Sequence, residues 1–321
     1  MEILSPFESL DEIRSRSADA VIGQSGISHA GLAREIRQRL ASTDVSTGSV
    51  LQNPVIESAL PYVQADLQMK DLHGLISAPL VEALDGSSDK HRRNYRFRRD
   101  WKPYTHQLSA WQKLLDQTKP HSVLVTSGTG SGKTECFLIP ILADLVRQPK
   151  AARLEGVQAI VLYPLNALIA SQEERLREWT APFHGAIRFA LYNGLTPAEV
   201  PAAEARLRPE AVLDRKTLRA SPPPILVTNV TMLEYMLLRK EDAPILASSK
   251  GKLRYIVLDE AHSYVGAQAA EIALLLRRVC LGFGVEPKDV RFIATSATIG
   301  NGDGSDEGLR RFLKDVSGAP D

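Results

Sequence analysis

The sequence predicts an α/β protein built on a parallel sheet and preceded by a mainly helical N-terminal region. Three observations carry that expectation. From about residue 100, short β-branched runs each end in polar or glycine-rich residues and give way to helical periodicity, the alternation of a parallel α/β sheet. Before residue 90, apolar residues recur at helical spacing and carry no chemical motif. The 321 residues, 44% hydrophobic and 24% charged, suit one large domain with a sizeable core plus a smaller one. The polar break Gly86-Ser87-Ser88-Asp89 is the expected boundary, giving regions 1–89 and 90–321.

In the first region Leu32, Ile36 and Leu40 repeat every four residues behind Ser28, the expected N-cap. The polar stretch 41–49 reads as a loop, and Leu72, Leu75, Ile76, Leu80, Val81 and Leu84 form a second apolar stretch. In the second region the expected strands are 122–126, 159–163, 187–191, 225–228, 255–258 and 292–295. Ligands of such sheets sit beyond the carboxyl ends of the strands, where each run meets its polar residues. Ser221-Pro222-Pro223-Pro224 is an extended connector. Ile272, Leu275, Leu276 and Val279 give 269–279 a core-facing helical stripe. Cys136 and Cys280 are far apart, with no Cys or His partner at metal-ligand spacing, so both are expected in the core rather than in a disulfide or zinc site.

The 39 basic and 38 acidic side chains leave a formal charge of +1, which excludes a uniformly basic coat and makes any nucleic-acid surface local. No stretch approaches the roughly 18 uninterrupted apolar residues of a membrane span, and the N-terminus lacks the features of a signal peptide. A cytoplasmic chain without membrane contact is expected.

The strongest chemical signal is Ser127-Gly128-Thr129-Gly130-Ser131-Gly132-Lys133-Thr134, between an apolar strand and a helical run through Phe137, Ile141 and Leu145. Strand, glycine-rich turn and helix in this order make a phosphate-binding loop. Its glycines let successive N–H groups point at phosphates, the helix N-terminus adds positive dipole, Lys133 reaches the β and γ phosphates, and Thr134 can ligate Mg²⁺. The generic pattern has Gly where this chain has Ser127. Next, Asp259-Glu260-Ala261-His262 follows the apolar run Tyr255-Ile256-Val257-Leu258. Two carboxylates at a buried strand's end can divide the work: Asp259 would hold Mg²⁺ through its water shell, and Glu260 would orient and deprotonate the water that attacks the γ-phosphate.

Together these motifs resemble the superfamily 2 helicases of the DEAH-box type, over about residues 100 to 300. The resemblance implies a RecA-like P-loop lobe that binds Mg·ATP. Tyr104-Thr105-His106-Gln107 is similar to the adenine-reading segment, which implies that Gln107 hydrogen-bonds the base and Tyr104 packs on its ring. Tyr163-Pro164-Leu165-Asn166-Ala167-Leu168 and Val227-Thr228-Asn229-Val230-Thr231-Met232-Leu233 are similar to the two strand-gripping motifs, which implies nucleic-acid contacts from Asn166, Thr228, Asn229 and Thr231. Without the resemblance, each reads equally well as a strand-to-helix cap. Ser296-Ala297-Thr298 is similar to the motif that couples hydrolysis to nucleic-acid grip, with Ser296 and Thr298 bonding His262 or its neighbours.

The phrases TSGTGSGKTECF (126–137), YPLNA (163–167), TMLEYMLL (231–238) and DEAHSYVGAQAAEIALLLRR (259–278) further resemble the large bacterial DEAH-type helicases of antiphage-defence loci, Druantia-type systems among them. This resemblance implies the ATP-hydrolysing first lobe of a helicase or translocase, with DNA favoured over RNA and a defence protein as further partner. Such helicases carry arginine fingers on a second RecA-like lobe. About twenty residues follow Thr298, so that lobe is expected elsewhere in cis or on another chain, and the present chain reads as half of a motor with little activity alone. A nucleotide-dependent docking switch and a P-loop ATPase that never meets nucleic acid are the competing readings. The run 90–102, seven Lys or Arg with Tyr95, Phe97 and Trp101, reads either as a nucleic-acid contact or as a solvated hinge.

Overall fold

The computed structural model describes residues 6–44, 46, 48–51, 61–86, 95–119, 121–128, 130–148, 154–264, 267–297, 308, 310, 311 and 313–315. The chain forms two compact units, Met1–Pro61 and Tyr62–Asp321. The first contains the α-helices Pro6–Gln24 and Ala30–Leu40. His29, not the expected Ser28, caps the second helix, because its ring nitrogen accepts the Leu32 N–H at 3.2 Å. No residue of that helix is buried, so the Leu32, Ile36, Leu40 stripe makes no core of its own.

Among the described residues, the second unit is built on seven parallel strands: β1 Val123–Thr126, β2 Ala159–Leu162, β3 Phe189–Tyr192, β4 Ala211–Val212, β5 Ile225–Thr228, β6 Tyr255–Leu258 and β7 Arg291–Ser296. Their order is β1-β7-β6-β2-β5-β3-β4. Six of the seven coincide with expected runs. β3 begins two residues later than expected, and β4, of two residues, is too short to leave a pattern. Residues of β2, β5 and β6 are buried throughout, as in a sheet covered on both faces.

Alternate residues feed two clusters. Ile160, Leu226, Ile256 and Phe292 pack with Leu233, Ile272, Leu276 and Val279 on one face. Val161, Ile225, Val257 and Ile293 pack with Trp111, Phe137 and Ile141 on the other. Each such aliphatic side chain, fully withdrawn from water, contributes about 1.5–3 kcal/mol. Cys136 and Cys280 are buried and free. This is the RecA-like lobe that the resemblance implied. Among the described residues, no helix is long and apolar enough to cross a membrane.

The lobe starts earlier than the expected boundary, of which Ser87, Ser88 and Asp89 lie outside the described residues. Met69, Leu72, Ile76, Leu80 and Leu84 are buried in the same cluster as the helix Lys133–Arg147, because the apolar side of the helix Ala78–Asp85 finds its partner there. The structural division therefore falls between Pro61 and Tyr62. Within 90–102, residues 90–94 lie outside the described residues. Further on, Arg96 and Arg99 bond the buried Asp85 at 2.8 and 2.6 Å, and Arg98 bonds Asp100. These arginines are committed to carboxylates, so the described segment is neither a free basic strip nor a loose hinge; it is a strap pinned to the lobe.

Candidate nucleotide and nucleic-acid site

The phosphate loop leaves the end of β1 and enters the helix Lys133–Arg147. Gly130 and Gly132 both have φ of 75°, a conformation that side chains resist. A Cβ on Gly132 would also run into the Gln107 amide. Ser127, where the generic loop has glycine, bonds the Ser131 hydroxyl at 2.6 Å with both side chains buried. The departure from the pattern thus pinches the base of the loop. Lys133 donates to the carbonyls of Ser127 and Gly128 at 3.0 and 3.1 Å, which holds its ammonium at the mouth of the loop. Thr134 stands in the first turn of the helix. Thr129 lies outside the described residues.

The segment 104–107 lies against this loop. Gln107, 3% exposed, donates to the Gly132 carbonyl at 3.2 Å and accepts the Tyr104 N–H at 2.9 Å. One amide hydrogen and one lone pair remain for another partner. His106 Nε2 donates to the Ser131 carbonyl at 2.9 Å. Beside them a cavity of about 650 Å³ is lined by Tyr104, Gln107, Gly130, Gly132, Trp101 and Arg175.

Asp259 and Glu260 follow β6. Thr295 of β7 donates its hydroxyl to Asp259 Oδ1 and accepts the Glu260 N–H at 3.2 Å. Glu260 has φ of 53°, a left-handed backbone uncommon for a side chain of this size. Its Oε2 is buried without a hydrogen bond and lies 3.4 Å from His262 Nδ1, within ion-pair distance. Burial pushes the Tyr163 hydroxyl well up in pKa, and the neighbouring Asp259 carboxylate adds to the effect. Burial does the same to Tyr264, again with Asp259 contributing.

The end of β7 joins the two motifs. Ser296 accepts the Ser127 N–H on its carbonyl at 3.2 Å, while Thr295, one residue earlier, bonds the acidic pair. The expected coupling triplet included Ser296 and Thr298, of which Thr298 lies outside the described residues. Sequence reasoning missed Thr295, because a threonine in a β-branched strand looks like any other strand residue.

The strand ends β3, β5 and β2 lie side by side, with Tyr192 and Leu162 both in register with Thr228. Asn229 donates to the Asn166 side chain at 2.8 Å and caps the helix Val230–Leu238 through the Met232 N–H at 2.7 Å. Asn166 and Thr231 are exposed. Thr228 departs from expectation. It is fully buried, and its hydroxyl donates to the Tyr192 carbonyl at 2.6 Å, so its side chain serves the sheet and presents nothing to a strand outside it.

Residues 104–303 match the DEAD/DEAH box helicase family. The chain belongs to that family. This helicase-family chain is 30% identical over 311 residues to Druantia protein DruE of Escherichia coli (strain UMEA 4076-1), a match taking in 68% of the chain and 17% of DruE. It is 31% identical over 223 residues to the uncharacterized ATP-dependent helicase YprA of Bacillus subtilis (strain 168), covering 68% of the chain and 26% of YprA. The DUF1998 helicase MrfA, solved bound to DNA and AMPPNP, superposes with a TM-score of 0.54 at 25% identity over 81% of this chain and 30% of MrfA. The DEAD-box helicase Mss116 superposes with a TM-score of 0.55 over 79% of this chain and 44% of Mss116, and its 15% identity speaks for the fold alone. The chain thus spans a minor part of each of these proteins.

Proposed function

We propose that the chain is the ATP-binding and hydrolysing first lobe of a helicase or translocase that acts on DNA. The observation that carries this reading is the junction at the end of β7, where one strand holds the phosphate loop through Ser296 and the acidic pair through Thr295. The residues fit a Mg·ATP ligand. Glycines with positive φ open the loop for close approach, Lys133 stands at its mouth, and Glu260 keeps a carboxylate oxygen that no hydrogen bond holds, with His262 beside it. Thr134 and Asp259 supply the hard oxygen donors that Mg²⁺ prefers, Asp259 partly through water. The nucleotide brings the phosphoanhydride bond and the metal neutralises its charge. Lys133 exchanges its two loop carbonyls for phosphate oxygens, Thr295 keeps Asp259 and Glu260 oriented, and Glu260 orients a water and takes its proton. Gln107 and Tyr104 receive the base, and His262, beside Glu260, passes the state of the site onward.

Asn166, Asn229 and Thr231 at adjoining strand ends suit sugar-phosphate contacts that hold a strand without reading its sequence. DNA is favoured over RNA by the likeness to MrfA, solved with DNA. A second RecA-like lobe, in cis or on another chain, supplies the cationic charge at the transition state. The 30% identity to DruE supports a place in antiphage defence, and on that reading the chain works in the cytoplasm with a defence protein as partner.

The test is calorimetric titration of ATP into the chain and its Lys133→Ala variant, followed by ATPase assays with and without DNA once the second lobe is supplied. Lys133→Ala should weaken ATP about 10- to 100-fold, the worth of hydrogen bonds to a charged group. Unchanged affinity would remove the site. ATP binding without any stimulation by DNA would favour a docking switch instead.

A further inference from the structure

We propose that Tyr62 is a positioning residue of the nucleotide site, holding the first half of the phosphate loop in its binding shape. This rests on the ATP-binding reading above. Tyr62 opens the lobe and lies outside the segment 104–303 that matches the helicase family, so nothing in the motif series points to it.

Thr105 N–H bonds the Val63 carbonyl at 2.9 Å, Ala65 N–H bonds the Pro103 carbonyl at 2.8 Å, and Gln64 bridges Tyr104 in antiparallel fashion. This clasp brings three rings together. Tyr62 lies 5.4 Å from Tyr104 and 5.6 Å from His106, and Tyr104 and His106 stack at 5.6 Å. From the clasp, three side chains reach three backbone positions of one loop. His106 bonds the Ser131 carbonyl and Gln107 the Gly132 carbonyl. The Tyr62 hydroxyl lies 2.7 Å from the point where a Cβ on Gly128 would stand.

Gly128 is the informative residue. Its φ is not among the positive values that explain Gly130 and Gly132, so its backbone would accept alanine. Among the described residues, and chain neighbours aside, the Tyr62 hydroxyl is the contact that a Cβ there would meet within 4 Å. Glycine at 128 is therefore explained by tyrosine at 62. The same half of the loop offers the Ser127 and Gly128 carbonyls that hold Lys133. A hydroxyl seated on Gly128 limits where those carbonyls can turn when Lys133 moves to a phosphate. The Tyr62 ring is itself held, tilted against Tyr104 and edge-on to His106, and confining the loop before the ligand arrives lowers the ordering cost of binding.

The test is a double-mutant cycle on the 321-residue chain: wild type, Tyr62→Phe, Gly128→Ala and the double variant, each titrated calorimetrically with ATP, GTP and adenosine. Tyr62→Phe should weaken ATP and GTP alike, by about threefold, and leave adenosine unchanged. Gly128→Ala should weaken both triphosphates about tenfold. In the Tyr62→Phe background, the same alanine should cost less than about threefold, because phenylalanine vacates the space that the Cβ needs.

An equal cost of Gly128→Ala in both backgrounds overturns the proposal, as does a loss of adenosine matching that of ATP. Should Gly128→Ala not fold, Tyr62→Phe and Tyr62→Leu decide: a graded loss confined to triphosphates supports the role, and wild-type affinity in both overturns it. Lys133→Ala is the control. If it loses ATP while the cycle shows no coupling, Tyr62 alone is refuted; if it binds ATP as wild type does, the nucleotide reading falls and takes this one with it.

Discussion

Thr295→Val removes one hydroxyl from the centre of the lobe and leaves its shape intact. Thr295 is fully buried, so the isosteric valine opens no cavity. What is lost is the bond to the Asp259 carboxylate, worth about 1.5–3 kcal/mol because the acceptor is charged. The second bond, to the Glu260 N–H, counts for little, since that N–H also lies 3.2 Å from Asp259 Oδ1. The expected destabilisation is about 2 kcal/mol. For a unit spanning Tyr62–Asp321, that corresponds to a Tm lower by roughly 4–8 °C. Turnover should fall further than stability does. Glu260 holds a left-handed backbone that costs about 1–3 kcal/mol, and without its anchor that backbone is free to relax away from the geometry that aims the carboxylate. DNA-stimulated ATPase, measured with the second lobe supplied, should drop at least about tenfold while ATP affinity stays within about threefold. Thr295→Ser, which keeps the hydroxyl, should recover most of both. A Tm within about 1 °C of wild type together with undiminished turnover would refute the argument.

Glu260→Gln should bind Mg·ATP nearly normally and hydrolyse it very slowly, because the amide keeps the shape and loses the base; a collapse of nucleotide binding, seen by calorimetry, would make Glu260 a structural residue instead. Asp242, fully buried, accepts from Tyr192 at 2.7 Å and from Arg219 at 2.8 Å, so Asp242→Ala should destabilise by about 3 kcal/mol in urea unfolding. A change within about 0.5 kcal/mol would contradict that. Acid should loosen the strap at 95–102. Burial raises the Asp85 carboxyl, but the bonds from Arg99 and Arg96 outweigh it and hold the group below the usual carboxylate value. A folded pKa below the unfolded one, about 3.9, stabilises above that value and is lost as the pH falls through the folded one. The gap in Tm between wild type and Asp85→Asn should therefore be constant from about pH 7 to pH 5 and close below about pH 4; a gap independent of pH would count against the pairing.

The sheet and the glycine-rich loop between β1 and the helix Lys133–Arg147 were legible because their signals are local. β2, β5 and β6 are unbroken apolar runs, and the Ser127–Thr134 pattern needs no knowledge of distant residues. What escaped depends on partners far along the chain. The Leu72 to Leu84 stretch looks like a helical domain until the helix Lys133–Arg147 is brought against it. The arginines of 96–99 look like a phosphate-binding strip until Asp85 is placed between them. β4 has two residues and no pattern to read. Thr228 and Thr295 are both strand threonines, alike in sequence. One serves the neighbouring strand and the other the acidic pair, and the difference lies in which loop follows the strand beside it.

The strand order has a bearing on how the lobe comes into being. β1, which carries the phosphate loop, pairs within the sheet with β7, and Val123 lies opposite Ile293, 170 residues later. At ordinary synthesis rates of 5–20 residues per second, about 10 to 30 s separate the two on the ribosome. By the end of that interval β2, β3, β5 and β6 can already pair with one another, while β1, whose loop meets His106 and Gln107, still has no strand beside it. The strand that ties the glycine-rich loop to the acidic pair is thus also the last strand of the sheet to be made.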